Sequence, residues 1–390
     1  MSESHALLSA SGAHRWLACS PSARLEELFP ASSSEYAEEG TLAHELAAAC
    51  ALYWTNQLSE NDYESRLASI KKSKWYTADM LDDCTAYAKL IRDKWQALCK
   101  DCSDAMVMIE AKIKYEEWAP GGFGTADCLI LADGFLEVLD FKYGKGKRVE
   151  AFGNPQMRMY TLGAYSTYGL VYNVDHIIMT IFQPRLSGIY NSDFISIDEL
   201  LKWGNEYVKP RAKLAYEGKG DFCPSSETCC FCRAKQSCKA RAKENLKLFD
   251  EAPDVFLMSP DEAGAVLEKA ADMKAWLSDL EAFVQSTLLS GEAVKGWKIV
   301  EGRSNRRFAD PLKVAEALIA AGYDESVIYK PRELITLTQM EKDFGKKNVS
   351  AVLDGLIEKP AGKPTLAHES DKRPEFKPEE QILNAFDAED

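Results

Sequence analysis

The chain has 390 residues, 46% of them hydrophobic and 28% charged, an ordinary globular composition with room for two domains. No run approaches the ~18 apolar residues of a membrane span, and the first residues lack the basic-then-apolar order of a signal peptide, so the expectation is a cytoplasmic protein with no membrane partner. A net charge of −14 excludes a protein that coats nucleic acid by bulk electrostatics; any nucleic acid must be held by local basic patches.

Residues 9–19, SASGAHRWLAC, predict a short Ser-capped helix that ends at Cys19, with Pro21 stopping it. Residues 40–54, GTLAHELAAACALYW, predict a longer helix with Leu42, Leu46, Cys50 and Tyr53 as its apolar stripe. His44 falls on its small-residue face with Ala47, Ala48 and Ala51. A lone histidine there packs more often than it ligates. Residues 61–100 suggest one or two further helices with a stripe of Ile91, Trp95 and Leu98. Residues 107–114 alternate as a strand that carries Glu110, read as a solvent-facing edge residue, with the alternative of a further metal ligand.

The segment from Gly124 to Lys142, GTADCLILADGFLEVLDFK, reads as two apolar strands joined by a two-residue turn at Asp133-Gly134, where both positions favour positive φ. That register pairs Ala132 with Phe135 and places Asp127 opposite Asp140. Opposed like charges among apolar residues call for a cation or a shared proton between them. Lys142, two residues beyond Asp140, alternates onto the same face. Lys145, Lys147 and Arg148 trail the hairpin as a candidate DNA-binding patch.

Residues 154–172 return to a helical pattern in which Gln156 and Tyr160 are neighbours on one face. Residues 175–182, DHIIMTIF, read as a strand covered on both faces. The order implies an α/β fold, a central mixed sheet flanked by helices. Of the 11 cysteines, Cys223, Cys229, Cys230, Cys232 and Cys238 cluster, which in a cytoplasmic protein reads as metal or cluster ligation before disulfides. Cys229-x2-Cys232-x5-Cys238 offers three thiolates; the fourth ligand would be Cys19 from afar, or Cys223 or Cys230 nearby. Spacing alone leaves zinc and iron–sulfur both open. Residues 261–289 predict a long amphipathic helix with Ala263, Leu267, Ala270, Met273, Leu277, Leu280 and Val284 as its stripe, 296–300 with 306–309 a small hairpin, and 311–321 and 347–357 two more helices. Residues 359–390 read as a solvated, disordered tail.

The ordered set of His44, Asp127, Asp140-x-Lys142 and Gln156-x3-Tyr160 resembles the PD-(D/E)xK nuclease superfamily in its RecB-like branch. Cys19 with the later Cys229, Cys232 and Cys238 resembles the AddB-type and CRISPR-adaptation nucleases, which clasp a [4Fe–4S] cluster between the ends of the nuclease domain. The likeness spans roughly residues 9–245 and includes phage-encoded proteins. It implies a restriction-endonuclease-like core over 1–248 with the cluster, a mostly helical domain over 249–358, and the tail. It further implies that His44, Asp127, Asp140 and the Phe141 carbonyl bind Mg²⁺ or Mn²⁺, that Lys142 positions or helps deprotonate the attacking water, and that Gln156 and Tyr160 line or brace the site. The implied activity is a metal-dependent deoxyribonuclease, an exonuclease in phage recombination or repair, with DNA as substrate and a single-strand-binding or annealing protein as a partner. The alternative is an inactive DNA-binding or scaffold protein with a structural zinc.

Overall fold

The computed structural model describes residues 6–30, 35–186, 190–250, 259–300, 311–321 and 336–345, with a few single positions beyond them. It divides into two units, residues 1–252 with 272–307, and residues 253–271 with 308–390.

The first unit is built on a five-stranded mixed sheet in the order β1-β2-β3-β4-β5, where β1 is Met106–Lys114, β2 Phe123–Ala132, β3 Phe135–Phe141, β4 His176–Phe182 and β5 Tyr190–Ser196. All neighbours are antiparallel except β3 and β4, which are parallel and joined through helix α6, Pro155–Tyr168. The expected α/β architecture is the observed one. β5 and the helices after it, Ile197–Lys202, the π-helical turn Trp203–Val208 and Lys209–Glu217, have no counterpart in the sequence reading.

Alternation along the strands gives the sheet two buried faces. Leu136, Val138, Leu129 and Leu131 pack with α6 on one side; Leu139, Phe141, Cys128 and Ile130 pack on the other with α3, Glu35–Trp54, and α5, Ala78–Asp101. Each such side chain, wholly removed from water, contributes roughly 1.5–3 kcal/mol before entropy is subtracted. Helix α3 starts before Gly40, and its small-residue face is also in the core: Ala43, Ala47 and Ala51 are buried, because only small side chains let α5 approach so closely. Pro21 stops one helix and caps the next: α1, Ala13–Ala18, ends at Cys19, and α2, Ser22–Glu26, begins at once.

The β2–β3 turn falls where expected, and Ala132 pairs with Phe135. Its geometry differs: Gly134 has φ +77°, but Asp133 is not in the left-handed region. The segment after α6 takes over the support, since Tyr172 O accepts the Gly134 N–H at 2.6 Å and Asn173 Nδ2 donates to Asp133 Oδ1 at 2.9 Å.

Helix α11, Pro260–Leu289, contributes its residues from Asp272 onward to the first unit. There Trp276 is buried, whereas Leu277 of the expected stripe is 46% exposed. Its Asp279 pairs with Arg241 at 2.6 Å and Lys235 at 3.3 Å, which turns the helix toward the late cysteine segment. Residues 296–300 form no strand. In the second unit, helices run over Pro311–Ala320 and Leu337–Phe344. The expected strand at 306–309, most of the expected helix at 347–357 and the tail at 359–390 lie outside the described residues.

Candidate active site

The β2–β3 ladder pairs residues as far as Cys128 and Leu139. One step beyond, Asp127 and Asp140 are adjacent, but each carboxylate turns to its own partners. Asp127 Oδ2 accepts the Phe141 N–H at 2.7 Å, and Asp127 Oδ1 lies 3.3 Å from His44 Nδ1 on α3. Asp140 Oδ2 lies 2.8 Å from Lys142 Nζ, while its Oδ1 accepts from Gln156 Nε2 at 3.0 Å. The Gln156 carboxamide is two-sided: its Oε1 accepts from Lys142 Nζ at 3.1 Å. Tyr160, one turn along α6, has its hydroxyl 3.4 Å from Gln156 Nε2.

Local sequence explains these placements. Asn154 caps α6 by accepting the N–H groups of Gln156 and Met157, and Pro155 fits the first helical turn, so Gln156 is fixed at the helix start, over the end of β3. Lys142 N–H donates to Phe182 O at 2.9 Å, extending the β3–β4 pairing under the lysine. Phe141 packs edge-on against the His44 ring, 5.6 Å between centroids, and lines a shallow surface depression with His44, Tyr87, Glu110 and Asp127.

Burial and neighbours drive the two carboxyls apart. Burial and the charge of Asp127 raise Asp140 above the ordinary carboxylate range, against the pull of Lys142. Burial also opposes ionisation of Asp127, but the His44 contact, the Phe141 N–H and Lys142 outweigh it and hold its carboxyl low. His44 and Lys142 are both raised: burial disfavours their charges, and the adjacent aspartates more than compensate. Asp140 Oδ2, in a side chain only 3% exposed, faces the Lys142 ammonium at 2.8 Å, a buried charge pair.

Glu110 is exposed on the edge strand β1, as its pattern implied, yet it also faces the site. Ile109 pairs with Cys128 and Ala111 with Ala126, which sets Glu110 opposite Asp127. Burial and the Asp127 charge raise its carboxyl, and His44 pulls the other way. Its backbone has φ +52°, a left-handed value for a non-glycine in mid-strand. Lys145, Lys147 and Arg148 are exposed on the loop after β3; Lys147 lies 3.2 Å from Glu227 and Arg148 2.7 Å from Glu150.

Cys19, Cys229, Cys232 and Cys238 line one pocket, a small cavity of about 20 Å³, whereas Cys223 and Cys230 are exposed. Burial is the chief cause that raises Cys19 and Cys229 and pushes Cys232 up to about 11, so these thiols hold their protons at neutral pH. Polar contacts fasten the two chain segments around the pocket: Glu26 Oε1 accepts the Arg233 N–H at 2.8 Å, and Arg24 Nε donates to Tyr216 O at 2.7 Å. Among the described residues, no three His, Cys, Asp or Glu side chains are already drawn together as a set that could hold a metal ion.

Fold and site together define an α/β protein with a buried acid–lysine–amide constellation at the end of its central strands. Over residues 5–374 the chain matches the family described as "Protein of unknown function (DUF2800)", and it belongs to that family. Among solved structures it is similar to a candidate exonuclease of Eubacterium rectale, at 11% identity and TM-score 0.31 over 65% of this chain and 90% of that one. It is also similar to SSO0001, at 13% identity and TM-score 0.23 over 51% of this chain and 85% of that one. At those scores neither likeness carries functional weight. No helix among the described residues is long and apolar enough to cross a membrane.

Proposed function

We propose that the protein is a metal-dependent deoxyribonuclease whose active site is Asp127, Asp140, Lys142 and Gln156, with His44 and Tyr160 beside them. The observation that carries this reading is the Lys142–Gln156–Asp140 triangle, closed at 2.8, 3.0 and 3.1 Å beside Asp127. Buried carboxylates are retained at such expense when they have a cation or a proton to handle.

The donor types suit a hard divalent cation that would draw them together on binding: Asp127, Asp140 and the Phe141 carbonyl offer oxygen for Mg²⁺ or Mn²⁺, and the His44 nitrogen tilts the preference toward Mn²⁺. Bound there, the cation would polarise the scissile phosphate and acidify a water. The residues themselves have separable tasks. Gln156 fixes Asp140 and Lys142 relative to each other. Lys142, held as the ammonium by Asp140, places positive charge where the phosphate gains negative charge. His44 and the Phe141 N–H keep Asp127 ionised. Tyr160, its phenol raised chiefly by burial, stays a neutral hydroxyl that accepts from Gln156 Nε2.

Cys19, Cys229, Cys232 and Cys238 line one pocket and supply the thiolates that a [4Fe–4S] cluster takes, with zinc as the alternative; either would have to draw the four together, and would then tie the two chain segments and displace the thiol protons. The resemblance supports an exonuclease in phage or bacterial recombination or repair, working beside a single-strand-binding or annealing protein. Incubation of labelled single- and double-stranded DNA with Mn²⁺ or Mg²⁺ tests the activity. Degradation is expected, and is expected to vanish in Asp127→Ala and Lys142→Ala; DNA bound by the wild type but left intact would support the binding-protein alternative.

A further inference from the structure

The eleven-residue connection Tyr143–Gly153 joins Lys142 to the cap of α6, and so links two residues whose side chains meet at 3.1 Å. It has no strand or helix, and its residues 144–148 are exposed. A basic loop of this kind ordinarily moves. Here its backbone is stitched to polar side chains that extend from β4 and β5. Gln183 Nε2 donates to Gly144 O and Lys147 O, both at 3.0 Å, and Gln183 Oε1 accepts the Val149 N–H at 3.0 Å. Asn191 Nδ2 donates to Val149 O at 3.0 Å, and its Oδ1 accepts the Ala151 N–H at 2.5 Å. Asp193 Oδ2 accepts the Gly153 N–H at 3.0 Å.

These side chains replace a strand. Asn191 and Asp193 alternate onto one face of β5, where they offer acceptors two residues apart to the N–H groups of Ala151 and Gly153. Gln183 is only 4% exposed and Asp193 7%, so the contacts are sheltered from water and each broken one leaves a polar group unpaired. The result is a backbone held at several points that displays Lys145, Lys147 and Arg148, all exposed, on the loop that starts after Lys142. Glu227 and Glu150 hold two of those cations through exposed ion pairs, which exchange easily for a phosphate.

We propose that Gln183, Asn191 and Asp193 are positioning residues that preform the 144–153 segment as a seat for the phosphodiester backbone of a nucleic-acid strand, an inference that rests on the nuclease reading. The experiment compares the full-length wild type with the Gln183→Ala/Asn191→Ala variant, with thermal melting as the control for folding. The double variant is expected to be nicked by trypsin after Lys145, Lys147 or Arg148, where the wild type resists. Fluorescence anisotropy with a labelled oligonucleotide in chelator-treated buffer should show affinity weakened by about tenfold and a shallower salt dependence. In turnover, KM for DNA should rise by a similar factor while kcat stays within about threefold. If the double variant does not fold, Lys145→Ala/Lys147→Ala/Arg148→Ala on the intact loop carries the same expectation for affinity. A nicked loop with unchanged affinity, or a loop that stays uncut in the double variant, overturns the proposal. Wild-type protein that binds DNA in this loop-dependent way but cleaves none overturns the nuclease reading and leaves this inference standing; wild-type protein that binds no DNA overturns both.

Discussion

The Asp127 carboxylate accepts the backbone N–H of Phe141 at 2.7 Å, one residue past the point where the β2–β3 pairing ends. A side chain thus does what the strand ladder no longer does, and it clamps the residue that separates Asp140 from Lys142. Charge and hydrogen bond can be removed separately. Asp127→Asn keeps an acceptor for Phe141 but gives up the charge that His44 and Lys142 favour, so metal-free stability should fall less than in Asp127→Ala while activity is lost. Asp127→Ala leaves a buried N–H unpaired and should lower stability by about 1–3 kcal/mol in urea titration. Equal stability losses in the two variants would show that the clamp is immaterial.

The His44–Asp127 contact makes a pH-dependent contribution. Folding raises the His44 pKa, so its stabilisation is fully present below the unfolded value of 6.5 and fades as pH rises through the folded value. Depression of the Asp127 pKa contributes stability that is fully present above its unfolded value of 3.8 and is lost only at acid pH, as pH falls through the folded value, so it does not change between pH 6 and 8. In metal-free protein, the melting-temperature gap between wild type and His44→Gln should therefore be largest near pH 6 and shrink toward pH 8. A gap that widens over that interval would reverse the assigned sign.

The late cysteines divide by burial. On the iron–sulfur proposal, Cys232→Ser and Cys19→Ser should each give colourless protein with a lowered melting temperature, because each would remove a ligand from the group proposed to tie the chain segments on either side of the pocket. Cys223→Ser and Cys230→Ser, at exposed positions, should leave the visible absorbance of a brown protein intact. Absorbance spectra with iron and zinc analysis decide this, and zinc without iron would select the alternative ion.

Glu110 stores backbone strain. A non-glycine at φ +52° costs on the order of 1–3 kcal/mol, of which glycine would recover part against its own entropy of about 0.5–1 kcal/mol. Glu110→Gly should raise metal-free stability modestly, and Glu110→Val, with a β-branched side chain at the same φ, should lower it. Opposite signs in thermal melting would mean that the carboxylate, rather than the backbone, dominates this position.

The hairpin register, the α/β order and the neighbourhood of Asp140, Lys142 and Gln156 were legible because each follows from a local rule: alternation along strands, helical spacing of Gln156 and Tyr160, and the Asn154-Pro155 cap. Residues that act across the fold left no such trace. Asn191 and Asp193 lie in YNSDFIS, a polar edge strand without a hydrophobic period, and Gln183 is one amide after an apolar run. The mutual orientation of Asp127 and Asp140 was half legible: register makes them adjacent, but only the positions of α3 and α6 decide that one turns to His44 and the other to Gln156. On α11 the stripe was legible in part: Met273, Leu280 and Val284 are half-buried on the side of Trp276, which is buried, whereas Leu277 is exposed, because helical period alone does not fix the edge of the packed face.

The most direct test of the proposed chemistry is the single-turnover cleavage rate of end-labelled DNA with saturating Mn²⁺, measured for wild type, Asp140→Asn and Gln156→Ala. Cleavage by the wild type is predicted, with a loss of about 10³-fold or more in Asp140→Asn and about tenfold or more in Gln156→Ala, since the amide only aligns the groups that Asp140 and Lys142 provide. A wild type inert with both Mn²⁺ and Mg²⁺, or an Asp140→Asn variant that cuts as fast as its parent, would contradict the assignment.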